Sequence, residues 1–191
     1  MNPSNQLLND CLKDNRKAHY ELYKVCFPFI LSVCRRYYRN KEESMATLNL
    51  VFLKIIQNLS SYLKKDHIPF ELWVRKICIN TIIDEFRRHH TYKKLIETSG
   101  FENHDEHRFS DEKTEHHLDR EEILLAINQL PEMNRTVFNL YVIDGYKHDE
   151  IAGLLGISPS TSKVHLFRAR KILQGLIEEL KKKNSIKSIL S

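Results

Sequence analysis

The sequence predicts an all-α chain: two small helical domains joined by a flexible acidic linker, the C-terminal domain a helix-turn-helix. Three observations carry this. Apolar residues recur at steps of three or four along most of the chain. No segment sustains period-2 alternation between turn signals. The periodicity vanishes between residues 98 and 119, where Glu, Asp, His and Ser dominate. A composition of 41% hydrophobic and 29% charged residues can bury a core, and only 5 Gly and 5 Pro argue against a turn-rich all-β fold.

Residues 6–40 read as helix. Ala18, Leu22, Val25, Phe29, Val33 and Tyr37 line one face. Pro28 lies inside this run and predicts a kink or break near Phe27. Residues 44–63 repeat the pattern with Leu48, Val51, Phe52, Ile55, Ile56, Leu59 and Leu63. A break follows at Lys64-Lys65-Asp66-His67-Ile68-Pro69, since Pro69 pushes Ile68 out of the helical region. The next helix spans about residues 70–88 and ends in Arg87-Arg88-His89-His90. Its apolar set, Trp73, Ile77, Ile82, Ile83 and Phe86, reads chiefly as core.

The expected organisation is therefore a domain over 1–95, a linker over 96–119 and a domain over 120–191. If the linker is a flexible coil, its ends lie about 25–30 Å apart. Charge follows the same division. The first block holds 17 Lys and Arg against 9 Asp and Glu, the linker 2 against 8, and the last block 11 against 8. Two basic blocks flank an acidic one, a balance that favours polyanions, above all nucleic acid. A solvated basic surface fits the charge alone as well.

Helical periodicity returns with Ile123, Leu124, Ile127 and Leu130. Pro131 suits the first turn of the next helix, and Gly145 is placed to end it. The most informative stretch runs from Gly145 to Leu173. A short helix, His148–Leu155, precedes Gly156, where a tight turn needs a positive φ. Ala152 is small where two helices cross, Ile157 plugs the core, Ser158 is a good N-cap, and Pro159 suits the first helical position. Leu166 then faces the core. This is the spacing of a helix-turn-helix whose second helix reads DNA. Ser158, Ser160, Thr161, Ser162, Lys163 and His165 are the candidate readers, and Arg168, Arg170 and Lys171 ride the backbone. A plain helical hairpin with solvated charges is the alternative.

Residues Pro131–Phe138, Gly145, Glu150-Ile151-Ala152, Leu154-Leu155-Gly156-Ile157-Ser158 and Arg168–Leu173 together resemble region 4 of the extracytoplasmic-function (ECF) branch of the sigma-70 family. Phe70 and the run Trp73–Arg88 resemble the region 2 helix that contacts the −10 element. Glu42-Glu43 and Phe52-Leu53-Lys54 fall where that family's polymerase-binding helix stands. The resemblance implies a factor that binds core RNA polymerase and double-stranded promoter DNA, and holds the melted −10 strand. It implies −35 contacts over 160–170 and −10 contacts from Lys64, Lys65, His67, Phe70, Arg75, Lys76, Asn80, Arg87 and Arg88. It implies polymerase contacts from Glu42, Glu43, Asn49, Phe52 and Lys54. An anti-sigma partner is a further family implication. Two departures stand out. Met45-Ala46-Thr47-Leu48-Asn49-Leu50 replaces the acidic and Gln residues usual before Phe52, and Ser162 stands where Val is frequent. The first leaves open a DNA-binding regulator or sigma-like decoy with weakened polymerase binding. The second predicts an altered −35 preference.

Other classes find little support. There is no Gly-rich phosphate loop, H-E-x-x-H or nucleophile elbow, so no enzyme is expected. His104, His107, His116 and His117 lie among carboxylates without a regular ligand spacing, and neither a metal nor a cofactor is expected. No apolar run approaches a membrane span, and Met1-Asn2-Pro3-Ser4-Asn5 lacks the regions of a signal peptide. Cys11, Cys26, Cys34 and Cys78, with no C-x-x-C pair, read as reduced core thiols of a cytoplasmic protein.

Overall fold

The structure is a computed structural model that describes residues 1–64, 68–96 and 120–189, with side chains over 1–64, 68–89 and 121–180. Every regular element among the described residues is helical. The chain divides into two compact units, Met1–Arg88 and His89–Ser191.

The first unit contains α1 (Asn5–Leu12), α2 (Arg16–Tyr37), α3 (Lys41–Leu63) and most of α4 (Phe70–Ile96). Side-chain oxygens start three of these helices. Ser4 Oγ accepts from Leu7 N at 3.2 Å, Asn15 Oδ1 from Lys17 N at 3.0 Å, and Asn40 Oδ1 from Glu42 N at 2.8 Å. Of the kink or break expected at Pro28, the break is absent. α2 runs unbroken through Pro28, and the chain instead breaks before Asn15, where Asp14 is left-handed with φ +56°. A proline inside a helix costs about 3 kcal/mol. Burial on both sides offsets it: Leu22, Cys26 and Ile30 are fully buried and Val33 nearly so. The N-cap at Asn15 was the better signal. α4 also passes its expected end at Arg88, since no Gly or Pro follows to stop it.

The core of this unit joins Leu22, Cys26 and Ile30 of α2 to Leu48, Val51, Ile55 and Leu59 of α3 and to Val74, Cys78 and Ile82 of α4. All four cysteines are buried free thiols. Burial pushes the Cys26 and Cys34 thiols up to about 12, which leaves them protonated and poorly nucleophilic.

The second unit contains α5 (Arg120–Gln129), α6 (Glu132–Phe138), α7 (His148–Leu155) and α8 (Pro159–Ile189). Pro131 immediately precedes α6 as its N-cap residue. α6 widens into a π-helical turn over Asn139–Ile143, closed by Asp144 N donating to Asn139 O at 2.9 Å. Gly145 then takes φ +78° and lets Tyr146 N reach Leu140 O at 2.9 Å. Leu130, Val137, Leu140, Ile151, Ala169 and Leu173 form the interior. Among the described residues no helix is long and apolar enough to cross a membrane.

Candidate nucleic-acid interface

The helix-turn-helix forms with the expected bounds. Glu150 Oε2 reaches back to accept from Lys147 N at 2.7 Å and opens α7. Gly156 ends α7 in the left-handed region, φ +68°, and accommodates the reversal that other residues resist. Nothing lies within 4 Å of where its Cβ would stand, so the backbone angle is the reason for glycine there. Ser158 Oγ then caps α8 by accepting from Thr161 N at 3.0 Å. The same oxygen lies 2.7 Å from Ser160 Oγ and 2.8 Å from Thr161 Oγ1, which gathers three hydroxyls at the start of the helix.

Lys163, Arg168, Arg170 and Lys171 are exposed along α8, as are Ser158 and Ser160. Ser162 corrects the sequence reading. It is fully buried, with its Oγ 2.9 Å from His148 Nδ1 of α7. It therefore joins the two helices of the motif and does not face DNA, so its departure from Val gives no direct change of readout. His165 is half-buried, its Nδ1 2.7 Å from Asn134 Oδ1 of α6, and it anchors α8 on that side. Two apolar residues that the sequence reading passed over are exposed on α8: Val164 at 46% and Phe167 at 68%. Their signal was available. Counting inward positions from Leu166 in steps of three and four gives 162, 166, 169 and 173 and leaves 164 and 167 outside.

The inward-facing Arg135 was also missed. It is 5% exposed, and its Nη1 donates to Asn128 O and Leu130 O, each at 3.2 Å. One guanidinium thus satisfies carbonyls at the corner between α5 and α6.

In the first unit, a groove of about 440 Å³ lies between α3 and α4. Tyr62 and Trp73 stack in its wall with ring centroids 4.5 Å apart and planes 28° apart. Lys76 and Asn80 line it, and so does the ion pair of Lys54 Nζ with Asp84 Oδ2 at 3.2 Å. Lys54, expected on the polymerase-binding side, thus stands in this groove. Tyr62 and Asp84 were not anticipated, because only the pairing of α3 with α4 brings them to Asn80. Trp73 and Ile77 are half-buried here, whereas Phe86 is core.

Phe70 is a second correction. It is 4% exposed and packs edge-on to Tyr62 at 5.4 Å, so it supports the groove from behind instead of meeting DNA. Arg75 lies half-buried with its guanidinium 5.3 Å from the Phe29 ring. Lys64 is exposed at the end of α3, and Arg87 is exposed on α4 beside Arg88, whose Nη2 pairs with Glu85 Oε1 at 2.9 Å. Lys65, His67 and the linker histidines lie outside the described residues. No cluster of metal-ligating side chains occurs among the described ones.

Glu42 and Glu43 are exposed in the first turn of α3, where negative charge complements the helix dipole. Further along α3, exposed Asn49 accepts from Tyr23 Oη at 3.3 Å, and half-buried Phe52 meets the Tyr23 ring edge-on at 5.0 Å. Thr47 and Leu48 are buried, so the outward face of the unusual 45–50 segment is mainly Ala46 and Asn49, with Met45 and Leu50 half-buried. Leu53 extends this strip and is 52% exposed.

Comparison with known proteins matches both ends of the chain to one family. Residues 22–91 match Sigma-70 region 2 and residues 120–173 match Sigma-70, region 4. RNA polymerase sigma factor SigZ of Bacillus subtilis (strain 168) is 32% identical over 132 residues, 69% of this chain and 70% of that protein. ECF RNA polymerase sigma factor SigM of the same organism is 26% identical over 165 residues, 82% of this chain and 91% of that protein. The sigma factor RpoE of Bartonella quintana, in a co-crystal structure with the anti-sigma factor NepR, aligns at 17% identity with a TM-score of 0.48. That alignment covers 83% of this chain and 96% of the other. The chain belongs to the sigma-70 family, as an RNA polymerase sigma factor of the ECF type that serves promoter recognition.

Proposed function

We propose that α8 reads the −35 element and that the groove between α3 and α4 holds a base of the melted −10 strand. The exposed polar start of α8 and the cations that follow it, set behind the Gly156 turn, carry the first assignment. Its hydroxyls and Lys163 face base edges, Val164 and Phe167 offer apolar surface to thymine methyls, and Arg168, Arg170 and Lys171 hold phosphates. The groove suits an unstacked base. It combines the Tyr62–Trp73 aromatic wall with Asn80, which can both donate and accept, and Lys76, which can meet the backbone. Arg75, Arg87 and Arg88 add positive charge along the same helix. The protein acts by binding and carries no catalytic step of its own.

Core RNA polymerase binds the outward face of α3, through Glu42, Glu43, Asn49 and Phe52. The apolar strip of Ala46, Leu50 and Leu53 favours a second reading, a sigma-like regulator or decoy with weakened polymerase affinity. The family likeness also supports an anti-sigma partner and a cytoplasmic setting. Binding of the purified chain to bacterial core polymerase, followed by promoter-directed transcription, separates the readings. New start sites support the initiation factor. DNA binding without polymerase binding supports the decoy.

Within this reading, Lys163→Ala should change the preferred −35 sequence, at about 1–3 kcal/mol of lost discrimination. Arg170→Ala should weaken all sequences about equally. Affinity measured over a panel of single-base variants checks the contrast, and identical profiles would remove the division into reader and holder.

A further inference from the structure

His148 opens α7, and its ring is held on two sides. One face stacks on Tyr141 of the π-helical turn, with centroids 4.5 Å apart and planes 23° apart. Nδ1 lies 2.9 Å from Ser162 Oγ of α8. Nε2 has no hydrogen-bond partner among the described residues. A ring fixed this way presents one nitrogen outward at the end of α7 where first-turn N–H groups lack helical acceptors.

The charges around the ring come from each element that meets it. α8 contributes Lys163 and Arg170, both exposed, and the Arg170 guanidinium lies 5.9 Å from the centre of the Tyr141 ring. α7 contributes Asp149, which favours protonation, and Glu150, which is bonded to Lys147 N. From the turn, Tyr141 meets the ring, while Asp144 acts on Tyr146. Partial burial, then Lys163, and more weakly Arg170 hold the imidazole below its ordinary proton affinity against the pull of Asp149. The free protein therefore keeps an electropositive site around a histidine that gives up its proton more readily than usual.

We propose that His148 and Arg170 form a phosphodiester site, beside the base-reading Lys163, in which DNA binding draws a proton onto His148. The proposal rests on the DNA-binding reading above. A phosphodiester placed there offsets the repulsion from both cations and accepts a hydrogen bond from protonated Nε2. Its charge raises the proton affinity of the bound state above that of the free state. The contribution to binding is therefore fully present below the free-state value and is lost as pH rises through the bound-state value.

The test uses the intact chain and a short mixed-sequence DNA duplex, because phosphate contacts need no particular sequence. At constant ionic strength, fluorescence anisotropy should show affinity falling about tenfold between about pH 5.5 and about pH 7.5. His148→Gln, whose amide can still meet Ser162, should lose that component and bind at every pH as the parent does at high pH. In parallel, NMR titration of the His148 ring should show its midpoint moving upward on adding DNA. This measurement stands even if the variant folds poorly. Superimposable pH profiles for parent and a folded variant, or a midpoint unmoved by bound DNA, overturn the proposal while leaving DNA binding intact. Absence of duplex binding at every pH overturns the DNA-binding reading itself.

Discussion

DNA binding by the intact chain should weaken about fortyfold when monovalent salt rises from about 50 mM to about 200 mM. The figure follows from counting cations. Arg168, Arg170 and Lys171, the residues assigned to phosphates, are exposed along α8. If these three meet phosphates, the slope of log affinity against log salt is about −2.7, and a fourfold rise in salt costs roughly 1.6 decades. Buried contacts do not produce such a slope, because counterions are released only where condensed charge is replaced. A titration across salt concentrations, at a fixed pH above about 7.5 where His148 does not contribute, measures the slope directly. A nearly flat response would show that α8 does not track the phosphate backbone. Removing Arg170 should reduce the slope by about one unit.

Replacing Arg135 with Met should destabilise the second unit by about 2–4 kcal/mol. Met preserves much of the aliphatic packing and removes the charge and its donors. Asn128 O and Leu130 O would then lose their shared donor at the corner between α5 and α6. A bond to a charged group contributes about 1.5–3 kcal/mol, and a stranded buried acceptor about 1–3 kcal/mol. Because α6 also anchors α8 through Asn134 and His165, the reader helix should lose support as the corner loosens. Chemical denaturation of the intact chain, followed through the transition of this unit, checks the magnitude. A change below about 0.5 kcal/mol, the range of ordinary surface substitutions, would mean that water satisfies both carbonyls without the guanidinium.

Local pattern is enough for the helical class, the helix-turn-helix and its bounds. Those features are local. Gly156 permits the left-handed reversal, Ser158 supplies the cap within three residues of the group it satisfies, and Leu166 follows at helical spacing. The family resemblance was legible for the same reason, since its motifs are runs of adjacent residues. Tertiary structure decided what local pattern leaves open. Ser162 looked like a reader because it is small, polar and near the start of α8. It lies inside because His148, fourteen positions earlier, supplies its partner. Phe70 looked available to a base and is covered because Tyr62 packs over it. Pro28 is carried through a continuous helix because α2 buries side chains on both sides of it. Arg135 could turn inward only because the preceding helix ends with carbonyls for it to meet. Periodicity assigns a residue to a helix and gives its angle around the axis. Whether a polar or aromatic side chain at that angle meets water or the interior depends on the partner that folding brings to it. A buried polar group is costly unless that partner arrives.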